Sequence, residues 1–219
     1  MIRIISLLLL TLFLGSCAST KSDFDVILGN ENTKGWLAQK LTETTNIYFY
    51  YAGHGIPGIS DGKAYLLPSE GNPDYIGIGG FPVSSLYDKL DKLNAKSITV
   101  FLDACFAGES RDKESLYVDA RPVFVAENEE ISSKGINIFS ASAGNEISSA
   151  WPEKKHGLFS YYLMKGMKGE ADSDKNGEIT FKELGVYIRD NVSETAGMLD
   201  RSQNPSFNSE NPDDIIIKY

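Results

Sequence analysis

The 219-residue chain carries a formal net charge of −9 and is 42% hydrophobic and 23% charged. These are the proportions of a folded protein long enough to bury one sizeable core. Such an acidic chain lacks the clustered basic surface that phosphate backbones demand, which excludes nucleic acid as the main partner.

Arg3 supplies a positive start, and Ile4 to Leu14 form an apolar run interrupted only by Ser6 and Thr11. The run is shorter than the roughly 20 apolar residues that a bilayer span needs, and it has the layout of a secretory signal. Its end, Leu14-Gly15-Ser16-Cys17, resembles a bacterial lipobox, in which the cysteine becomes the lipidated first residue. The expected organisation is a lipoprotein signal over 1–16, a short tether over 17–24 and one domain over 25–219. The protein is then exported and lipid-anchored through Cys17 to the periplasmic or cell-surface face of a bacterial membrane. An ordinary signal cleaved nearby, or a buried N-terminal strand, is the alternative. With Cys17 lipidated, Cys105 is the only other cysteine of the chain and has no disulfide partner within it. An unpaired thiol in an exported protein is a candidate for chemistry, although burial as an inert side chain is the commoner fate of cysteine.

Residues Asp25 to Gly29 read as a short strand, followed by a helix through Trp36, Leu37 and Leu41. The apolar run Ile47–Ala52 is a strand, and the glycine-rich stretch from Gly53 to Gly80 carries turn signals. Pro82 opens a helix with Val83, Leu86, Leu90 and Leu93 at helical spacing. The strand Ile98–Leu102 follows, then a charged, irregular loop over 107–134, then the strand Ile136–Ala141. Helices are expected over Gly157–Met167 and Phe181–Ala196, joined by an acidic turn. A polar tail from Arg201 to Asp214 ends in Ile215-Ile216-Ile217, a closing strand. Strands alternating with helices imply an α/β fold whose mostly parallel sheet is covered on both faces. Active sites in such sheets lie outside the carboxyl ends of the strands, where His54 and Cys105 both fall.

The segments Tyr50-Tyr51-Ala52-Gly53-His54-Gly55 and Phe101-Leu102-Asp103-Ala104-Cys105-Phe106-Ala107-Gly108 resemble the caspase-like peptidases, especially the bacterial caspase-domain and metacaspase-like group. The interval of about 50 residues from histidine to cysteine is that of caspases. Phe139-Ser140-Ala141-Ser142 and His156-Gly157-Leu158-Phe159-Ser160-Tyr161-Tyr162 resemble the family's later strand and helix.

The resemblance implies a three-layer αβα sandwich and a cysteine endopeptidase acting on proteins or peptides. In that family's pattern Cys105 attacks the scissile carbonyl, His54 serves as acid and base, and the backbone N–H groups of Gly55 and Cys105 form the oxyanion hole. No cofactor is needed for catalysis. An aspartate at the place of Asp103 lines the pocket for a basic side chain in metacaspase-like enzymes, which implies cleavage after Arg or Lys. The alternative is that Asp103 caps backbone amides beside the site. Arg111, Lys113 and Arg121 in the charged loop are then candidates for self-cleavage. Between Cys17 and the strand leading to His54 there is room for one strand and one helix, so the fold is expected to lack the family's first strand and helix. A partner or a second chain is one way to complete the sheet. A catalytically silent, lipid-anchored module that binds peptides or partners is the competing function.

Asp172 to Glu183 match the twelve-residue EF-hand pattern at every diagnostic position. Calcium is the expected ion, with oxygen ligands from Asp172, Asp174, Asn176, the Glu178 backbone carbonyl and Glu183, and with Gly177 at the sharp turn. The alternative is an acidic Asn-Gly turn in which Glu183 merely begins a helix.

Overall fold

The computed structural model of the protein describes residues 21–58, 60–106, 135–142, 146 and 148–219. The signal expected over 1–16, Cys17, and Arg111, Lys113 and Arg121 lie outside the described residues.

The chain begins with helix α1 (Lys21–Leu28) and leads to strand β1 (Asn46–Ala52). An excursion follows, made of β2 (Gly55–Pro57), β3 (Ala64–Leu66), the short helix α2 (Ile76–Gly79) and β4 (Phe81–Pro82). Helix α3 (Val83–Asp91), β5 (Ser97–Asp103) and β6 (Ile136–Ser140) come next. The hairpin β7 (Ala150–Trp151) and β8 (His156–Gly157) feeds helix α4 (Leu158–Lys165). Then come β9 (Glu178–Thr180), helix α5 (Phe181–Met198), β10 (Ser206–Asn208) and β11 (Ile215–Lys218).

The main sheet has the order β1-β5-β6-β10, with β1, β5 and β6 parallel and β10 antiparallel. Its two faces bury different side chains because alternate residues of a strand point opposite ways. Ile47, Phe49, Val100, Leu102 and Ile138 meet Phe24 and Leu28 of α1 and Leu86 and Leu90 of α3. Phe101 and Phe139 meet Leu158, Phe159 and Leu163 of α4 and Leu184, Ile188 and Val192 of α5. Helices on both faces of a mostly parallel sheet make the three-layer α/β arrangement that the resemblance implies. In this sheet β1 is a terminal strand among the described residues. None of the described helices is long and apolar enough to cross a membrane.

Three local readings change. Asp25 to Gly29 is not a strand: α1 forms there because Phe24 and Leu28, one helical turn apart, both enter the core, Phe24 stacked on Phe81 at 4.3 Å. A single bridge from Gly29 to Lys34 is all that is extended at that point. The helix expected through Trp36 and Leu41 shrinks to a 3-10 turn, Leu37–Gln39, in which only Leu37 is buried. The glycine-rich stretch after Gly53 contains an antiparallel sheet, β2-β3-β4, rather than turns alone. The closing strand β11 exists but pairs with β9, while β10, inside the polar tail, takes the place beside β6.

Candidate active site

β1 and β5 pair at a constant offset, from Asn46 opposite Ser97 to Ala52 opposite Asp103. The ladder runs one step further, with Gly53 N–H donating to the Asp103 carbonyl at 3.2 Å. His54 and Cys105 each stand two residues beyond the last paired residue of their strand, so the same offset carries both to one rim of the sheet. His54 is exposed and Cys105 is 4% exposed. The thiol of Cys105 donates to the Glu146 carbonyl oxygen at 3.4 Å.

The backbone around His54 is held closely. The Tyr51 hydroxyl reaches back to the His54 carbonyl at 2.8 Å and the Leu67 carbonyl at 3.0 Å. Leu67 N–H donates to the His54 carbonyl at 2.9 Å. Because the Tyr51 hydroxyl passes beneath the chain there, a Cβ on Gly53 would come within 2.6 Å of it. A Cβ on Gly55 would lie 2.6 Å from the Phe106 ring and 2.8 Å from the Cys105 carbonyl oxygen. Both glycines flanking His54 are therefore demanded by close approach, the second of them to the cysteine segment itself. Hydrogen-bonded pairs of the β2–β3 ladder fall at His54–Leu67 and Gly58–Lys63. Gly55–Leu66 is thus a non-hydrogen-bonded pair, and the Gly55 N–H faces away from β3.

Asp103 is fully buried. The Ser148 hydroxyl donates to one carboxylate oxygen at 2.6 Å and the Ser160 hydroxyl donates to the other. Tyr50 and Ser160 share a hydrogen bond at 2.6 Å, tying this pair back to β1. Gly157 lies against the same carboxylate: a Cβ there would sit 2.6 Å from its oxygen.

One group of residues near the site gave no signal in the sequence. Arg201 to Asn204, just past α5, each grasp the segment that runs from β6 to β7. Arg201 donates from Nη1 to the Ala150 carbonyl at 2.9 Å. The Ser202 hydroxyl donates to Glu146 Oε1 at 2.8 Å. Gln203, 1% exposed, accepts from Ser149 N–H at 2.8 Å and donates to the Ala141 carbonyl at 2.9 Å. Asn204 donates to the Glu146 carboxylate from its backbone N–H at 2.6 Å and from its side chain at 2.5 Å.

The acidic loop lies apart, between α4 and α5. Carboxylate oxygens of Asp172, Asp174 and Glu183 lie within 4.8 Å of one another. Asp172 accepts from the N–H groups of Asn176 at 3.2 Å and Gly177 at 3.0 Å, and Gly177 adopts a φ of +83°. Asn176 turns its side-chain oxygen to the Glu178 N–H at 2.7 Å. Glu183 forms a capping box with Thr180 at the start of α5 and also accepts from Ser173. Burial pushes its carboxyl upward, but the bonds from Thr180 and Ser173 outweigh it and bring the group down to about 2. It is therefore ionised across the physiological range. An all-oxygen, anionic donor set of this kind suits a hard cation such as calcium.

The family model for the caspase domain matches residues 20–216. No curated protein matches the chain. Among solved structures, a Geobacter sulfurreducens protein is similar at 18% identity and a TM-score of 0.48, over 78% of this chain and 68% of that one. Caspase-1 from Spodoptera frugiperda is similar at 11% identity and a TM-score of 0.42, over 77% of this chain and 60% of that one. By the extent of the family match, the chain belongs to the caspase domain family.

Proposed function

We propose that the protein is a cysteine endopeptidase that cleaves after Arg or Lys with a Cys105–His54 dyad. The observation that carries this reading is the shared offset that brings both residues to one rim of β1 and β5 in a caspase-domain chain. His54 takes the thiol proton, and the Cys105 sulfur attacks the scissile carbonyl carbon. The oxyanion that forms is met by the N–H groups of Gly55 and Cys105, donors of a kind worth about 3 kcal/mol each. His54 then protonates the departing amine as the C–N bond breaks. Water, deprotonated by His54, hydrolyses the thioester and restores the thiol. The Gly55 N–H, which faces away from β3, and the close approach of a Gly55 Cβ to the Cys105 carbonyl support this assignment.

Asp103, two residues before the sulfur, supplies the negative charge that receives the basic side chain, its carboxylate oriented by Ser148 and Ser160. Calcium would be held by Asp172, Asp174, Asn176, the Glu178 carbonyl and Glu183, and would take no part in the chemistry, serving instead to fix the turn between α4 and α5. Cys17 carries the lipid that ties the protein to a bacterial membrane, and Arg111, Lys113 and Arg121 are candidates for self-cleavage under the same specificity. The second reading, a silent module that binds a partner strand, is favoured by the terminal position of β1 in the described sheet.

The test is a panel of peptides with Arg, Lys or Asp before the bond, offered with and without calcium, with Cys105→Ala as control. Cleavage after Arg or Lys is expected. No cleavage by well-folded protein overturns the peptidase reading, and preference for Asp overturns the role of Asp103.

A further inference from the structure

The Cys105 S–H points at a main-chain carbonyl, that of Glu146, 3.4 Å away. A hydrogen bond to that oxygen exists only while the sulfur keeps its proton. A thiolate there would set two electron-rich atoms against each other with nothing between them. While the S–H donates to the Glu146 carbonyl, the sulfur is a thiol rather than the nucleophilic thiolate.

The position of that carbonyl is in turn set by the Glu146 side chain. Its carboxylate accepts from the Ser202 hydroxyl at 2.8 Å, the Asn204 N–H at 2.6 Å and the Asn204 side chain at 2.5 Å. These are charge-assisted bonds, the strong class for a small number of contacts. We infer that Glu146, anchored by Ser202 and Asn204, is a positioning residue that holds the Cys105 thiol in a resting arrangement, engaged with the Glu146 carbonyl, and that release of this anchor frees the thiol to react. The inference rests on Cys105 being the nucleophile. Its location makes physical sense of the grip of residues 201–204: Arg201 and Gln203 fix the ends of the segment, while Ser202 and Asn204 fix Glu146, whose carbonyl accepts from the Cys105 thiol.

The test measures alkylation of Cys105 by iodoacetamide at one fixed pH in the full chain, with peptide mapping so that Cys17 is counted separately. Glu146→Ala and Asn204→Ala are expected to label at least about fivefold faster than the wild type, because the thiolate alone reacts. Glu146→Gln, whose amide oxygen still accepts from Asn204 N–H while its NH2 group loses the Asn204 side-chain contact, is expected to label no faster than Asn204→Ala and more slowly than Glu146→Ala. Thermal melts identify variants that have lost the fold, and Asn204→Ala, which keeps the backbone bond, is the milder of the two. Labelling of folded Glu146→Ala and Asn204→Ala at or below the wild-type rate overturns the inference. So does Glu146→Gln labelling as fast as Glu146→Ala, since charge rather than anchoring would then set the reactivity. Because labelling needs no proteolysis, a wild type that cleaves no peptide defeats the peptidase reading while this comparison still decides the role of Glu146.

Discussion

At the scale of single residues, the tightest constraints fall on the groups around His54. Tyr51 is buried, and its hydroxyl holds the His54 and Leu67 carbonyls. Tyr51→Phe is expected to cost about 1 kcal/mol of stability, the net worth of a hydrogen bond, and to lower kcat more than it changes KM, measured with the best peptide of the panel. Gly157→Ala forces a Cβ to within 2.6 Å of an Asp103 oxygen. It is expected to destabilise by about 1–3 kcal/mol, as overpacking does, which a thermal melt checks. Asp103→Asn keeps the volume and removes the charge, so kcat/KM for an Arg peptide is expected to fall at least about tenfold, the loss of one charge-assisted contact. Of these residues, His54, Cys105 and Asp103 stand out in the sequence because of their place after apolar strands. Ser148 and Ser160 do not, since their partners come from distant segments, and Tyr51 does not, since an aromatic residue in a strand reads as core whatever its hydroxyl bonds.

At the scale of elements, the strongly periodic segments are legible. Helix α3 follows from Val83, Leu86 and Leu90, and β5 and β6 follow from mostly apolar runs, each interrupted by one polar residue, Thr99 and Asn137. Helix α1 is not, because Phe-Asp-Val-Ile-Leu alternates well enough to suggest a strand, and the stacking of Phe24 on Phe81 decides for helix. The grip of residues 201–204 is also illegible: Arg-Ser-Gln-Asn after a helix looks like a solvated tail, yet Gln203 is almost wholly enclosed. Helix α5 joins the acidic loop at its start to this grip at its end. Calcium is expected to raise the melting temperature of the chelator-treated wild type and leave that of Glu183→Gln unmoved, since the bidentate ligand would be lost. An equal rise in both, read by calorimetry, would contradict the calcium site.

At the scale of the whole molecule, two separate cores clamp one sheet, and Cys105 and His54 stand where strands β1 and β5 end. Leu102 is fully buried on β5, immediately before the site. Leu102→Ala is expected to destabilise by about 2–5 kcal/mol and to lower activity in proportion to the fraction unfolded, as a melt and an assay on the same sample would show. Membrane attachment belongs to this scale as well: Cys17→Ala is expected to move the protein from the membrane to the soluble fraction on cell fractionation, and unchanged membrane association would remove the lipid anchor from the account. The central claim is that Cys105 and His54 act as one catalytic unit, and a double-mutant comparison tests it most directly. On an Arg peptide, Cys105→Ala and His54→Ala are each expected to reduce kcat at least about 1,000-fold, and the double variant no further, because groups acting in one step are not additive. A His54→Ala protein that keeps kcat within about tenfold of wild type would contradict it.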